Sequence, residues 1–167
     1  TSKPNIAIHY PTHRYSEEGL TPGSTSCRNG IMLHRIFEKA STVEELYSSI
    51  KRMSRDCLID NDEAERLRSN IERAMSDERA REWFCGSWDD IKTEAEILCK
   101  NGIRRPDRVM ISGDRAVVVD YKFGDKINKY YNRQMSEYIS LLRSMGKYNT
   151  IEGYVWYISL GHIESVG

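Results

Sequence analysis

The sequence has no long apolar run, no secretory leader and no closely spaced pair of cysteines. No run approaches the roughly 18 apolar residues that a membrane span needs, so we expect no membrane-spanning segment. Residues 1–8 lack a basic patch followed by a long apolar stretch, and we expect no secretory signal. The four cysteines, Cys27, Cys57, Cys85 and Cys99, form no CxxC pair, so zinc-finger spacing is absent. We therefore expect reduced, mostly buried thiols in a cytoplasmic protein.

The sequence also lacks an excess of charge of either sign and any nucleotide-binding loop. Without a GxxxxGK[ST] pattern, the chain is not an ATP-driven motor. Its 25 basic and 25 acidic residues cancel, which does not favour a polyanionic partner, because duplex binding depends on Lys and Arg displacing counterions. The bases nevertheless crowd one later segment: Lys100, Arg104, Arg105, Arg108, Arg115, Lys122, Lys126, Lys129 and Arg133. These residues can form a basic face or can simply be solvated.

A chain of 167 residues has the usual length of one domain with its own core. We divide it into a loop-rich lead-in (1–28), a helical section (29–86) and a core that carries the chemistry (87–167). Because the sequence does not open with Met and stops abruptly at Gly167, we expect it to be part of a longer protein.

Apolar residues recur at helical spacing through the first half of the chain. This periodicity predicts helices over residues 29–39, 62–75 and 78–84. A further helix follows Thr42, whose capping-box partner is Glu45 three residues later. The helical section is therefore predicted to be built almost entirely from short amphipathic helices.

After Ser87 the period changes from that of a helix to that of a strand. Three short apolar runs, over residues 91–99, 105–112 and 116–122, are separated by Asn101-Gly102 and Gly113-Asp114, and they predict consecutive antiparallel strands. A helix over residues 128–145, ended by Gly146, and a buried strand over residues 153–160 follow. The expected fold class is α/β or α+β, a mixed sheet flanked by helices.

An acid and a base interrupt the most apolar of these strands. Side chains at positions i and i+2 of a strand point to the same face, so Asp120 and Lys122 are neighbours. Buried charges are costly unless they are paired, bound to metal or functional. Taken alone, this spacing favours a simple ion pair at a strand end over a catalytic role.

Asp107 adds a second carboxylate to this region. A hairpin through Gly113-Asp114 brings the strand that starts near Asp107 beside the end of the strand that carries Asp120. Mg²⁺ takes oxygen ligands, commonly one or two carboxylates with waters and phosphate oxygens. The two acids predict a metal site, and the nearby ammonium of Lys122 is suited to orienting a water and offsetting charge on a phosphate.

These residues resemble the PD-(D/E)xK nuclease superfamily. Asp107, preceded by Pro106, is followed by Asp120-Tyr121-Lys122 on the next strand. The segment GIMLHRIFE at residues 30–38 is similar to the GxxxHxxxE helix of RecB-type nucleases, and QMSEY at residues 134–138 is similar to their QxxxY motif. Glu94 falls where the family has an acid at the start of its first core strand.

Within that superfamily, the chain looks most like the C-terminal nuclease domains of UvrD-like helicase-nucleases of the RecB or AddA type. The resemblance implies a restriction-endonuclease-like fold and an Mg²⁺- or Mn²⁺-dependent exonuclease in DNA repair and recombination. It also implies DNA as the substrate, either a single strand or a duplex end, together with linked helicase domains and a second helicase-nuclease subunit as partner. A related branch carries an iron-sulfur cluster whose ligands include cysteines late in the chain. No cysteine follows Cys99 here, so we expect no cluster.

The resemblance assigns roles to individual residues. The implied metal ligands are His34, Asp107, Asp120, the backbone carbonyl of Tyr121 and, with Glu96 as an alternative, Glu94. Lys122 is implied as the residue that positions or activates the attacking water, which makes Asp107, Asp120 and Lys122 the catalytic set. Gln134 and Tyr138 of the QxxxY motif are implied to contact DNA or to brace the catalytic strand. Arg105 and Arg108 of the basic segment are predicted to contact DNA as well.

Other interpretations of these residues remain open. His34 and Tyr138 can equally be core residues. The chain as a whole can be a nuclease-like DNA-binding or scaffolding module without turnover, or a nuclease that acts on RNA.

Overall fold

The structure is a computed structural model that describes residues 25–93, 95–99 and 102–167. Most of the predicted loop-rich lead-in, residues 1–24, lies outside the described residues. Residues 25–28 of that lead-in are helical and not loop, because the first described helix begins at Thr25.

Four helices precede the sheet, as the sequence periodicity predicts. They are α1 (Thr25–Lys39), α2 (Val43–Arg55), α3 (Asn61–Ala74) and α4 (Glu78–Cys85). Side-chain caps fix three of their starting points, because a cap satisfies a backbone N–H that has no partner within the helix. The oxygen of Thr42 accepts from the N–H of Glu45, and Asp60 and Glu63 form a reciprocal capping box at α3. Asp77 accepts from the N–H of Arg79 at the start of α4.

The rest of the chain forms a five-stranded mixed sheet, a separate hairpin and one long helix. The elements are β1 (Asp90–Thr93), β2 (Ile97–Cys99), β3 (Gly102–Arg104), β4 (Arg108–Ser112), β5 (Arg115–Lys122), α5 (Lys129–Ser144), β6 (Thr150–Tyr157) and β7 (His162–Val166). The strand order in the main sheet is β1-β4-β5-β6-β7. β5 and β6 are parallel, whereas every other neighbouring pair is antiparallel. α5 is the crossover that a parallel pair requires.

The mixed sheet with helices before it confirms the predicted fold class, but the strand boundaries differ from the prediction. The strand predicted over residues 91–99 is divided into β1 and β2, and β2 pairs with β3 as a two-stranded sheet of its own. The strand predicted over residues 153–160 ends at Tyr157, where a short 3-10 helix (Ile158–Leu160) begins. Gly161, at a φ of 60°, then reverses the chain into β7, which the sequence analysis missed.

The two faces of the sheet bury different cores. On one face, α1 to α4 pack against Val117, Val119, Tyr121 and Trp156. On the other face of the sheet, α5 packs against apolar side chains of β5 and β6 that alternate with those of the first face, including Val118 and Val155.

α5 lies very close to β6 where the strand carries Gly153. A Cβ at Gly153 would lie 2.6 Å from Cδ1 of Ile139 and 2.8 Å from the side chain of Met135. This glycine therefore allows the close approach of helix and strand.

The alternation along β5 decides which core each functional side chain meets. Tyr121 shares the face of Val117 and Val119, towards the four N-terminal helices. Asp120 and Lys122 share the face of Val118, towards α5. The two charged groups therefore lie in the layer between the central strand and the crossover helix. None of the helices in the described ranges combines the length and apolarity that a membrane span needs.

Candidate catalytic site

Asp107 and Asp120 meet at the end of the β4–β5 ladder. The register pairs Arg108 with Val119, so the residue before β4 lies beside the residue that follows Val119. Both carboxyl groups are buried, with residue exposures of 4% for Asp107 and 1% for Asp120. The juxtaposition predicted from the Gly113-Asp114 turn is therefore present in the structure.

A backbone hydrogen bond fixes the orientation of Asp107. Its Oδ2 accepts from the N–H of Tyr121 at 2.7 Å. Because this N–H belongs to the residue after Asp120, the bond ties the loop before β4 to the functional end of β5. Oδ1 of the same carboxyl group lies 4.0 Å from Nε2 of His34.

Burial raises the pKa of Asp107 well above its usual value. The negative charge of Asp120 and hydrogen bonding between the two carboxyl groups act in the same direction. The charge of Lys122 and the bond from the Tyr121 N–H oppose the rise without cancelling it. Two carboxyl groups that resist simultaneous ionisation form a site at which a proton can be replaced by a metal cation.

Lys122 is held between Asp120 and an aromatic ring. Its Nζ lies 2.7 Å from Oδ2 of Asp120 and 4.2 Å from the centre of the Tyr131 ring. The Lys122 side chain is 7% exposed and that of Asp120 is 2% exposed. An ammonium between a carboxylate and an aromatic face is stabilised by both, so its position at this strand end is well defined.

His34 reaches the same region from the opposite layer. Its Nδ1 lies 3.2 Å from Oε2 of Glu38, one helical turn further along α1, and its ring packs edge-on against Phe123. A carboxylate next to Nδ1 favours the tautomer that is protonated there, which leaves the lone pair on Nε2. The nitrogen that can act as a ligand thus faces Asp107.

A second Asp-x-Lys pair in the chain shows what burial adds. Asp90 and Lys92 have the same spacing on β1, and their charged groups lie 3.5 Å apart. Their side chains are 51% and 53% exposed, so they form an ordinary surface ion pair at the sheet edge. Only the pair on β5 is buried and lies beside another carboxyl group.

These residues fit a hard divalent cation held by few protein ligands. No group of three or more His, Cys, Asp or Glu side chains in the described part of the chain is arranged as a metal cluster. Mg²⁺ does not need one, since it is commonly bound through one or two carboxylates with water and phosphate oxygens completing the shell. Asp107 and Asp120 supply those two carboxylates, and Nε2 of His34, 4.0 Å from Oδ1 of Asp107, can supply a nitrogen ligand.

Of the two remaining predicted acids, the structure describes only Glu96. Glu94 lies outside the described residues. Glu96 is exposed and forms an ion pair with Arg105, which is also exposed. Glu96 is therefore paired with Arg105 at the surface, whereas Asp107 and Asp120 are buried, and the proposed DNA contact of Arg105 would have to compete with this ion pair.

The predicted DNA contact of Arg108 is wrong, because this residue lies in the protein interior. It is 0% exposed and donates to the backbone carbonyls of Ala40, Ser41 and Trp83 at 2.7, 2.7 and 2.6 Å. Its guanidinium also lies 4.0 Å from the centre of the Phe84 ring. A guanidinium engaged in this way joins the end of α1 to α4 and does not reach DNA.

The two QxxxY residues have different environments. Tyr138 is 1% exposed and belongs to the core between α5 and the sheet, whereas Gln134 is half-buried. The burial of Tyr138 agrees with the core interpretation and leaves little of its ring accessible to DNA.

Two residues of the site had no role in the sequence analysis. Glu38 closes the GxxxHxxxE segment, and its helical spacing from His34 could have indicated the contact. Tyr131 could not be recognised from its neighbours, because its importance comes from how α5 crosses the end of β5.

Comparison with known proteins adds no assignment: no protein-family model matches the chain, and no curated protein matches it.

Proposed function

We propose that this chain is a divalent-metal-dependent nuclease that hydrolyses DNA phosphodiester bonds. The observation that carries the proposal is the buried contact between Asp107 and Asp120, with Lys122 beside them at the end of the central strand. The resemblance of these residues and their flanking segments to PD-(D/E)xK nucleases supports the same chemistry.

In this proposal each residue has a distinct role. Asp107 and Asp120, with His34 and the Tyr121 carbonyl, hold Mg²⁺ or Mn²⁺, and Glu94 joins them. When bound by these residues, such a cation would supply Lewis-acid stabilisation of the negative charge on the phosphate. Lys122 orients the attacking water. Gln134 and Arg105 contact the DNA backbone.

The biological setting is proposed from the resemblance. We place the chain as the nuclease domain of a RecB- or AddA-type helicase-exonuclease in DNA repair and recombination, with helicase domains linked to it and no iron-sulfur cluster. A linked motor would deliver DNA at high effective concentration, so a net charge of zero is no obstacle. We propose a cytoplasmic location, with which the free thiols of Cys57 and Cys85 are consistent. Both of these cysteines are exposed, so the expectation of mostly buried thiols is wrong for them.

The test is digestion of end-labelled DNA by the purified chain in Mg²⁺, in Mn²⁺ and in EDTA. We expect cleavage only with metal, and a loss of at least about a hundredfold in Asp120→Ala and Lys122→Ala, the size of effect produced by removing one group that stabilises transition-state charge. Matched RNA strands digested in parallel test the choice of DNA. Cleavage in excess EDTA, or faster cleavage of RNA, contradicts the proposal.

The exposed pair on β1 is the matched control. Asp90→Ala and Lys92→Ala remove the same residue types at the same spacing, but from the surface. We expect both variants to cleave DNA at the wild-type rate. Equal losses in both pairs would show that the substitutions act through a general disturbance of the protein.

The second candidate is a nuclease-like module that binds DNA without turnover. It is favoured by the tight pairing of Lys122 with Asp120, which occupies the ammonium that would act on water. If wild-type protein binds DNA but does not cleave it with Mg²⁺ or Mn²⁺, this second function replaces the first.

A further inference from the structure

The basic segment of the sequence does not form one continuous surface in the structure. Arg108 and Lys122 are buried, and Arg115 forms ion pairs with Glu82 and Glu152. Arg105 is paired with Glu96. The three-dimensional arrangement therefore withdraws much of the predicted basic face from a polyanionic partner.

Three basic side chains of this segment are exposed at and just before the start of α5. Lys126, Lys129 and Arg133 are exposed, and in the part of the chain that the structure describes none of them forms an ion pair. Residues 125–133 contain a single acid, Asp125. This end of α5 therefore presents a net positive charge.

Two large apolar side chains are exposed among these bases. Ile127 is 53% exposed and Tyr130 is 57% exposed. Tyr130 lies three residues before Arg133 in α5, and Lys129 lies four residues before it, so the three share one face of the helix. We name Lys126, Ile127, Lys129, Tyr130 and Arg133 the α5 tip.

The α5 tip adjoins the candidate catalytic site. The ring of Tyr130 meets that of Tyr131 edge-on, with centres 6.0 Å apart, and the Tyr131 ring lies over Nζ of Lys122. The segment before α5 is anchored as well, because the N–H of Asn128 donates to the hydroxyl of Tyr157. An exposed aromatic ring is thus separated from the buried lysine by one other ring.

We propose that the α5 tip binds single-stranded DNA and leads it to the candidate catalytic site. An exposed aromatic ring surrounded by Lys and Arg side chains that form no ion pair in the described part of the chain suits single-stranded DNA. The faces of unstacked nucleobases stack on the aromatic ring, while Lys and Arg contact the phosphates. Paired bases in a duplex do not offer those faces. This inference rests on the proposed nuclease function and narrows its substrate to an unpaired strand.

The test measures binding separately from cleavage. Fluorescence anisotropy of a labelled oligothymidylate of about 15 nucleotides is recorded with the 167-residue chain in EDTA, beside a hairpin duplex and an oligouridylate. We expect the oligothymidylate to bind most tightly. Tyr130→Ala should raise its Kd roughly tenfold, because stacking of one base is lost, whereas Tyr130→Phe should keep near-wild-type binding.

The region beyond the opposite end of α5 supplies a control ring, which is half-buried where Tyr130 is exposed. Tyr148 lies just beyond that end, with Nζ of Lys147 at 5.5 Å from the centre of its ring. Tyr148→Ala therefore removes an aromatic ring beside a base, but far from Lys122, and we expect an unchanged Kd.

Salt dependence tests the three bases. Substituting Gln for Lys126, Lys129 and Arg133 together should reduce the slope of log affinity against log salt by about 2, because each phosphate contact on a single strand contributes about 0.7. Gln at Arg143 and Lys147 together is the control and should leave the slope unchanged.

The outcomes separate this inference from the proposed function. Tyr130-dependent binding without cleavage supports the α5 tip and contradicts the nuclease proposal. If the protein cleaves DNA but Tyr130→Ala binds the oligothymidylate as tightly as wild type, the nuclease proposal is supported and the proposed DNA binding by the α5 tip is overturned. Equal or tighter binding of the duplex, or tighter binding of the oligouridylate, also overturns it.

Discussion

Nζ of Lys122 and Oδ2 of Asp120 lie 2.7 Å apart on one face of β5, and both side chains are almost completely buried. Removing one partner of a buried ion pair leaves the other charge without compensation. Removing both restores a neutral interior. The pair can therefore be tested through the stability of the protein, independently of any activity.

We predict strong coupling between these two residues in the free energy of unfolding. Asp120→Asn or Lys122→Met alone should each destabilise the metal-free protein by about 3 kcal/mol. The double variant should lose much less than the sum of the two single losses. Urea denaturation of the four proteins in EDTA measures the coupling.

Asp90→Asn and Lys92→Met form the control cycle, because that pair has the same spacing but is exposed. We expect little change in either single variant and additive effects in the double variant. If the losses in free energy of unfolding are also additive for Asp120 and Lys122, the two residues are not coupled and the prediction is wrong.

Asp107→Asn should stabilise the metal-free protein, in contrast to the destabilising substitutions of Asp120 and Lys122. The size of this stabilisation should depend on pH. The pKa of Asp107 is raised in the folded protein, so the folded state keeps a proton that the unfolded state releases above about pH 3.9. Stability from this group is therefore lost as pH rises from the unfolded pKa towards the folded pKa. Asn removes this loss, and its side-chain oxygen can still accept from the N–H of Tyr121.

Urea denaturation in EDTA at pH 5 and pH 8 checks this prediction. Relative to wild type, Asp107→Asn should gain stability between the lower and the higher pH. Glu65→Gln, a change of the same type at the surface of α3, should show no such trend. An Asp107→Asn protein that is less stable than wild type by the same amount at both values would contradict the raised pKa.

The sequence predicted the parts of the fold that depend on local pattern. The helical periodicity and the capping residues Thr42 and Glu45 located the N-terminal helices to within a few residues. The Gly113-Asp114 turn fixed the register that brings Asp107 beside Asp120. These features follow from residues close together in the chain.

Features that depend on distant contacts were missed. The apolar run at residues 153–160 gave no sign that the chain leaves the strand after Tyr157, because the 3-10 turn is equally apolar. A buried Arg108 is indistinguishable in sequence from its exposed basic neighbours. Its acceptors are the carbonyls of Ala40, Ser41 and Trp83, and only the folded arrangement of α1 and α4 brings them to it.

We therefore predict that Arg108 stabilises the fold. Arg108→Met should lower the free energy of unfolding by more than about 3 kcal/mol, because buried carbonyls lose a charged donor. Arg108→Lys should restore little, since one ammonium cannot reproduce the fork of a guanidinium. Arg143→Gln, which removes an exposed base of α5, is the control and should have almost no effect. Wild-type stability of Arg108→Met in urea denaturation would contradict the prediction.

The last prediction concerns His34 and the proposed metal. A cation that binds only the folded state raises its stability, by about 2.7 kcal/mol when the free cation is at a hundred times its Kd. We expect the melting temperature of wild type to rise in millimolar Mg²⁺ relative to EDTA. His34→Ala should reduce that rise, because Nε2 faces Asp107, and it should change the melting temperature in EDTA much less. His162→Ala removes an exposed histidine at the start of β7 and should leave the rise intact. If His34→Ala melts far below wild type in EDTA but keeps the full rise in Mg²⁺, His34 is a core residue that packs on Phe123, and the metal is held without it.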